Sequence, residues 1–182
     1  MRAMRRFADS LDRVVAGCSW AASWLFFVMV AVMVIDVVTR KFNIRVPYLE
    51  STRLQELEWH LHGALLMLCL GYGYICNSHV RIDVVSSGLA QRTRVWLELL
   101  GCFVFALPFC LATIYMGWQF FAQSYVQNEM SEAATGLPHR WIIKGLIPLG
   151  LLVLLMAVVS TMLRQILVLV SRDSAPEQPD QS

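Results

Sequence analysis

Charged residues are scarce in this 182-residue chain, in which Asp, Glu, Lys and Arg together make up only 15%. Soluble domains carry roughly 25% charged residues, so this sequence is too apolar for a soluble domain or for intrinsic disorder. Its hydrophobic share of 57% and its mean hydropathy of +0.56 favour an integral membrane protein. Neither sign of charge dominates, because 15 Lys and Arg stand against 13 Asp and Glu. The chain therefore lacks the basic surface that nucleic-acid binding requires.

Motifs of catalysis and cofactor binding are also missing. The sequence contains no G-x-S-x-G, no P-loop, no H-E-x-x-H and no C-x-x-C. The five cysteines lie in apolar surroundings, which is typical of small buried residues. A haem bundle would need histidines at matching depth on facing helices, and none of the four histidines lies in the middle of the first, third or fourth apolar stretch. We therefore expect no enzyme activity, no catalytic residue, no cofactor and no metal.

Four stretches are long and apolar enough to cross a membrane, which takes roughly 20 residues for a hydrocarbon core about 30 Å thick. The sequence thus predicts an all-α integral membrane protein with four transmembrane helices, at about 14–38, 58–79, 96–120 and 142–165. Residues 1–13 form an N-terminal segment before the four-helix domain, 14–171. Residues 172–182 are polar and contain proline, so we expect a disordered tail.

Two prolines are expected to interrupt or bend the predicted helices. In the first connection, Lys41 to Leu57, apolar and charged residues alternate and Pro47 interrupts any helix. The residues after Pro47 form either a short interfacial helix or a plain solvated loop. Within the third stretch, Pro108 is expected to bend the helix.

The distribution of positive charge predicts the orientation. An even number of crossings puts both termini on one side, and cytoplasmic segments carry the excess of Lys and Arg. Nine of these residues fall on the side of the termini and six on the other. We therefore predict cytoplasmic termini in a bacterial inner membrane.

The second stretch carries a polar stripe with a seven-residue repeat, formed by Gln55, His62, Cys69, Cys76 and Asp83. We interpret the stripe as a packing surface that faces protein rather than lipid. A metal site is the alternative interpretation. Cys69 and Cys76 lie two turns apart, about 10.5 Å along the helix axis, so they cannot share one zinc ion.

Two runs of residues, together with the exit from the first apolar stretch, carry a family resemblance. The first run extends from Gln55 through HLHGALLMLCLGYGY to the HVRID sequence at His79–Asp83. The second is SEAATGLPHRWIIKGLIPLG at Ser131–Gly150, and the exit is the RKFN sequence at Arg40–Asn43. With these runs the chain resembles, from about Leu11 to Leu169, the small membrane subunit (DctQ type) of tripartite ATP-independent periplasmic (TRAP) transporters.

The resemblance implies a non-catalytic helper in ion-gradient-driven uptake of organic acids. Its expected partners are a large permease subunit that carries the substrate and ion sites, a periplasmic substrate-binding protein and membrane lipids. Candidate structural or interface residues are Glu56, Glu58, His62, Arg81, Asp83, Pro138 and Lys144.

Two other functions remain alternatives at this point. One is a haem-binding membrane redox subunit. The other is a small self-sufficient multidrug carrier, which would need a membrane-exposed acid. Glu98, at a helix end, is the candidate for that acid.

Overall fold

The computed structural model describes residues 1–44, 50–76 and 90–173, and the regular secondary structure in these ranges is helical. Its elements are α1 (Arg2–Lys41), α2 (Ser51–Ile75), α3 (Gln91–Gly101), a π-helical turn (Cys102–Ala106), α4 (Leu107–Val126) and α5 (Trp141–Asp173).

Three helical stretches are long and apolar enough to cross a membrane, namely Arg2–Lys41, Gln91–Val126 and Trp141–Ser171. The second of these joins α3, the π-helical turn and α4 into one continuous helix. α2 has 25 residues, or about 37 Å at 1.5 Å per residue, but its first turns are charged. The chain is an all-α membrane protein, as its composition predicts.

The helices extend beyond the predicted spans. α1 begins at Arg2, so residues 2–13 of the predicted N-terminal segment form its first turns. Of the two alternatives for the residues after Pro47, a short interfacial helix or a solvated loop, the structure has helix from Ser51 onward, as the beginning of α2, while Pro47 itself lies outside the described residues. α5 continues to Asp173, and the rest of the predicted tail lies outside the described ranges.

Contacts between helices establish their directions. α1 runs antiparallel to α2, because the Ser51 hydroxyl donates a 2.7 Å hydrogen bond to Asp36 while Ser19 lies beside Cys69 at the other end. α2 runs parallel to α5, since Gly63 lies beside Ile143 and Gly71 beside Val153. α4 runs antiparallel to α5, because Gly117 lies beside Pro148 whereas Phe121 lies beside Gly145. α1 and α4 therefore run in the same direction.

α5 lies at the centre and packs against all the other helices. Its buried residues Leu151, Leu154 and Val158 form one apolar cluster with Cys102 and Cys110. Val153 and Ala157 form a second apolar cluster with Val15 of α1. α5 thus contributes to both apolar clusters of the core, and α1, α2 and the α3–α4 helix surround it.

α1 buries one residue in every seven: Ala8, Val15, Ala22, Met29 and Asp36. α4 repeats the spacing with Cys110, Gly117 and Ser124. A seven-residue repeat keeps one narrow stripe of a helix against its neighbour. Most of these residues are small, which allows the close helix packing that is typical of membranes.

At Pro108, where a bend was expected, the structure has a π-helical turn that ends two residues before the proline, at Ala106. Proline has no N–H, so it cannot donate a hydrogen bond to the carbonyl four residues earlier. A π-helical turn widens the helix locally and accommodates such a missing bond.

Two glycines bring the backbones of α2 and α5 together. A Cβ on Gly71 would lie 2.7 Å from the Val153 carbonyl oxygen, and a Cβ on Gly150 would lie 2.6 Å from the Met67 carbonyl oxygen. Both distances are shorter than van der Waals contact. Any side chain at either position would therefore push the two helices apart.

Replacing Gly150 with alanine should lower the free energy of unfolding by about 1–3 kcal/mol, the usual cost of overpacking. Gly17→Ala is the matched control, because nothing lies within 4 Å of a Cβ at that helical position. Denaturation in mild detergent, followed by circular dichroism, measures both variants. Equal stability of the two would contradict the close contact of α2 and α5.

Candidate functional site: polar ties at the two ends of the bundle

The loop between α4 and α5 closes around a buried carboxylate of α2, at what we call the loop end of the bundle. Glu56 is 9% exposed. It accepts a hydrogen bond from the Ser131 hydroxyl and a 2.6 Å hydrogen bond from the Leu137 N–H. The Arg140 guanidinium lies 3.9 Å from Glu56 Oε1, the oxygen that Ser131 also binds. These four residues form the loop clamp, which joins α2 to the α4–α5 connection.

The conformation of the loop backbone places these hydrogen-bond donors beside the Glu56 carboxylate. Ser131 N–H donates to the Leu137 carbonyl over 3.2 Å, which closes the loop on itself. A Cβ on Gly136 would collide with Ser131 and lie 2.9 Å from Glu56 Oε2, so only glycine fits beside the carboxylate. Arg53 Nε adds a 2.9 Å hydrogen bond from α2 to the Thr135 carbonyl.

A second ion pair lies beside the loop clamp. Lys144, in the first turn of α5, pairs with Glu129 and lies 3.9 Å from the centre of the Phe120 ring. Trp141 packs edge-on against Tyr125, with 5.3 Å between ring centroids. Aromatic and cationic side chains at one level are typical of a membrane–water interface.

The electrostatic surroundings hold both carboxylates in the charged form. Burial alone raises the pKa of Glu56, but the hydrogen bonds from Leu137 and Ser131 and the charge of Arg140 outweigh it and lower the pKa. The pKa of Glu129 is also lowered, first of all by the hydrogen bond from Lys144. The Glu56–Arg140 and Glu129–Lys144 pairs are therefore ionic at neutral pH.

The opposite end, where α1 begins and α5 ends, has its own polar ties, and we call it the terminal end. Arg164 of α5 pairs with Asp9 over 2.8 Å and with Asp12. The buried Ser160 hydroxyl lies 2.5 Å from Asp12 Oδ1 and 3.3 Å from the Ala8 carbonyl oxygen. These contacts join α1 to α5.

A further carboxylate, Asp36, is 1% exposed near the end of α1. It pairs with Arg40 and accepts the hydrogen bond from Ser51 at the beginning of α2. Its charge is therefore compensated although it is buried, and it fastens the first helix to the second.

Sequence comparison identifies the family. Residues 29–168 match the family described as tripartite ATP-independent periplasmic transporters, DctQ component. The match covers most of the chain. The chain belongs to the DctQ family. No match was found among curated proteins or among solved structures.

The DctQ-family chain brings some of the predicted site residues together. Glu56 and Lys144 take part in the polar ties at the loop end, and Pro138 lies exposed in the loop between them. Glu58 is half-buried, and its Oε1 has no hydrogen-bond partner among the described residues. His62 is exposed, and Arg81 and Asp83 lie outside the described ranges.

As far as the structure describes it, the polar stripe of α2 is not the face that this chain buries. Cys69 is half-buried and accepts a 3.5 Å hydrogen bond from Ser19 of α1, but Gln55, His62 and Cys76 are exposed. The buried residues of α2 are Leu54, Glu56, Ala64 and Gly71. Small residues, rather than the polar repeat, therefore mark the packing surface.

Several polar partners were not predicted from the sequence: Asp9, Asp12, Arg53, Ser131, Arg140, Ser160 and Arg164. Asp9 and Asp12 lie three residues apart and therefore share one helical face. This spacing is the sequence feature that could have indicated a polar contact there. As for the metal alternative, no group of three or more His, Cys, Asp or Glu residues that could hold an ion occurs within 1–44, 50–76 and 90–173.

Acid should release the loop clamp. Because the pKa of Glu56 in the folded chain lies below its ordinary value of 4.5, the stabilisation is complete above pH 4.5 and is lost as the pH falls through the folded-state pKa. Hydrogen exchange of the Leu137 amide, corrected for its intrinsic rate, measures this loss.

Two variants make the test specific. Glu56→Gln should leave Leu137 less protected at neutral pH and remove most of the acid dependence. Glu132→Gln, an exposed position in the same loop, should behave like the unchanged chain. The same acid dependence in Glu56→Gln would show that another group controls the loop.

Proposed function

We propose that this DctQ-family subunit is a non-catalytic scaffold for the large membrane subunit of its transporter. In this proposal the large subunit carries the substrate and ion sites, and a periplasmic binding protein delivers an organic acid to it. Uptake is driven by an ion gradient without ATP hydrolysis. The family assignment supports the assembly, and the architecture of the chain supports the scaffold role.

The observation that carries the proposal is that polar contacts tie helices of the bundle together at each of its two ends. Glu56 joins α2 to the α4–α5 loop, and Arg164 joins α5 to α1. Between these ends the helices are in contact at Gly71 and Gly150. A bundle held in this way resists bending, which is what a moving partner requires of a support.

The helices of the bundle also differ from those of transporter substrate sites. Such sites typically use pairs of helices that are broken near the middle of the membrane and whose ends face the substrate. Among the described residues α5 is continuous from Trp141 to Asp173 although it contains Pro148. The π-helical turn at Cys102–Ala106 remains hydrogen-bonded helix.

We also propose that α2 crosses the membrane, which gives the chain four spans. α1 and α4 run in the same direction, as described above. If α1 and the continuous α3–α4 helix both cross, the chain must return between them, and α2 is the described helix that lies between them in the sequence. Its contacts with α1 and α5 place it alongside two helices that are apolar enough to span.

Reporter fusions test this topology in an inner membrane. Fusions at residues 45 and 133 should report the periplasm, and a fusion at residue 90 should report the cytoplasm. The reason is the excess of Lys and Arg on the side of the termini. Cytoplasmic signals at both 45 and 133 would refute the orientation.

Reconstitution tests the division of labour. Liposomes that contain this chain alone should show no sodium-dependent uptake, and addition of the large subunit and the binding protein should produce uptake. Glu56→Ala and Lys144→Ala should lower the yield of assembled complex, because each removes one partner of an ion pair at the loop end. Glu132→Ala, at an exposed position, is the control.

Substrate preference distinguishes a scaffold from a component of the pathway. Uptake of two competing organic acids, normalised to assembled protein, should keep the same ratio in all three variants. A changed ratio at unchanged assembly would place this subunit on the substrate path and overturn the proposal.

A further inference from the structure

One face of α2 is left uncovered by the described part of the chain. Four exposed residues lie along it at intervals of four, three and four positions: Gln55, Trp59, His62 and Leu66. These intervals place them on one side of the helix, and Ala64, on the opposite side, is buried. We call these four residues the open face. It is about 16 Å long at 1.5 Å per residue.

The spacing of the open face is that of a helix packing surface. Alternating intervals of three and four residues form the stripe along which two helices pack as a left-handed pair. The buried stripes of α1 and α4 have the same seven-residue period, and both helices pack against neighbours in the bundle. The open face therefore has the spacing that fits one further helix.

The chemistry of the open face favours protein over lipid chains. His62 has no polar contact with any residue that the structure describes. The contacts between α1 and α2 place it level with about residue 26 of α1, where the exposed side chains Phe26 and Phe27 are apolar. Lipid chains that cover phenylalanine offer no hydrogen bond to an imidazole, whereas polar side chains of neighbouring membrane helices bond to one another. A helix that covers His62 should therefore present a polar side chain to it.

We infer that the open face binds a transmembrane helix of the large membrane subunit. The inference rests on the proposed function, in which this chain supports that subunit. The DctQ family is one component of a tripartite transporter, so a partner of different sequence belongs to the assembly. Trp59, which is 46% exposed, is the kind of large side chain that anchors a protein interface.

A second copy of this chain fits the open face less well. Two copies have the same orientation in the membrane, so a two-fold pair would place Trp59 against Trp59 and His62 against His62. A helix of different sequence can place a small residue opposite the indole and a hydrogen-bonding residue opposite the imidazole. The open face is therefore better matched by the large subunit.

Photo-crosslinking of the assembled complex tests the inference. Leu66→benzoylphenylalanine should link this chain to the large subunit when the complex is illuminated, because Leu66 is 52% exposed on the open face. Leu111→benzoylphenylalanine is the matched control. Leu111 is also 52% exposed, but it lies on α4, and we expect little of the same product from it. The mass of the product identifies the partner.

A binding measurement tests the polar contact. His62→Leu should weaken binding of the purified large subunit about threefold, the effect of one hydrogen bond between membrane helices. Gln119→Leu is the control, because it removes an exposed polar side chain from α4 and should leave binding unchanged. Circular dichroism verifies that both variants fold. Equal binding by the two variants would overturn the inference.

The crosslinks also separate this inference from the proposed function. A link between two copies of this chain, or no protein link from position 66, would overturn the inference. A link to the large subunit from position 111 but not from 66 would also overturn it, while the scaffold proposal would stand. Failure of the unchanged chain to associate with the large subunit would overturn both.

Discussion

The hydrocarbon layer confines the charged ties of this chain to the two ends of its bundle, and the remaining architecture follows from that constraint. A charge at mid-bilayer costs about 2.5–3.5 kcal/mol on insertion scales. Between Lys144 and Arg164, α5 accordingly has no charged residue. Hydrogen-bonded carboxylates act at the ends, where water and headgroups are near. In the middle, the helices must be held by close packing, which explains the small residues along α1 and the glycines between α2 and α5.

The helices could be predicted from the sequence, because long apolar stretches are a local property. The ends of the helices could not be predicted, because a helix can continue beyond the edge of the hydrocarbon layer. α1 begins at Arg2 and α2 at Ser51, and both carry polar turns beyond the apolar stretch. In water-exposed turns the backbone can remain helical at little cost. Hydropathy therefore indicates which part of a helix lies in the membrane and does not indicate where the helix ends.

The packing face of α2 shows a second limit of sequence reasoning. Polar residues recur every seven positions through His62 and Cys69, and Ala64 and Gly71 recur every seven positions beside them. Both repeats are compatible with a face that contacts protein. The smaller residues form the contact, because without a hydrophobic force between helices the gain comes from close approach of the backbones. The polar repeat instead marks a face of α2 that stays mostly exposed in this chain and can contact headgroups, lipid or a partner subunit.

The loop clamp could be anticipated only in part, because its partners are far apart in the chain. Glu56 stands out as a carboxylate near an apolar stretch, but Ser131 lies 75 residues later. The donor at Leu137 is a backbone N–H, which any residue but proline supplies. The identity of the side chain at that position therefore does not indicate the hydrogen bond. Gly136 is the one indirect signal, since a glycine before Leu-Pro suggests a crowded turn.

This separation also constrains the order of assembly. Glu56 is made well before the loop that binds it, and Asp9 and Asp12 are made before Arg164. Unpaired carboxylates inside hydrocarbon would be strongly unfavourable during that interval, whereas at the ends of the bundle they remain hydrated. Their position therefore allows the apolar helices to insert first and the polar ties to form afterwards. Because the loop clamp and the Arg164 pairs both involve α5 or the loop before it, these ties form only when the last helix is in place.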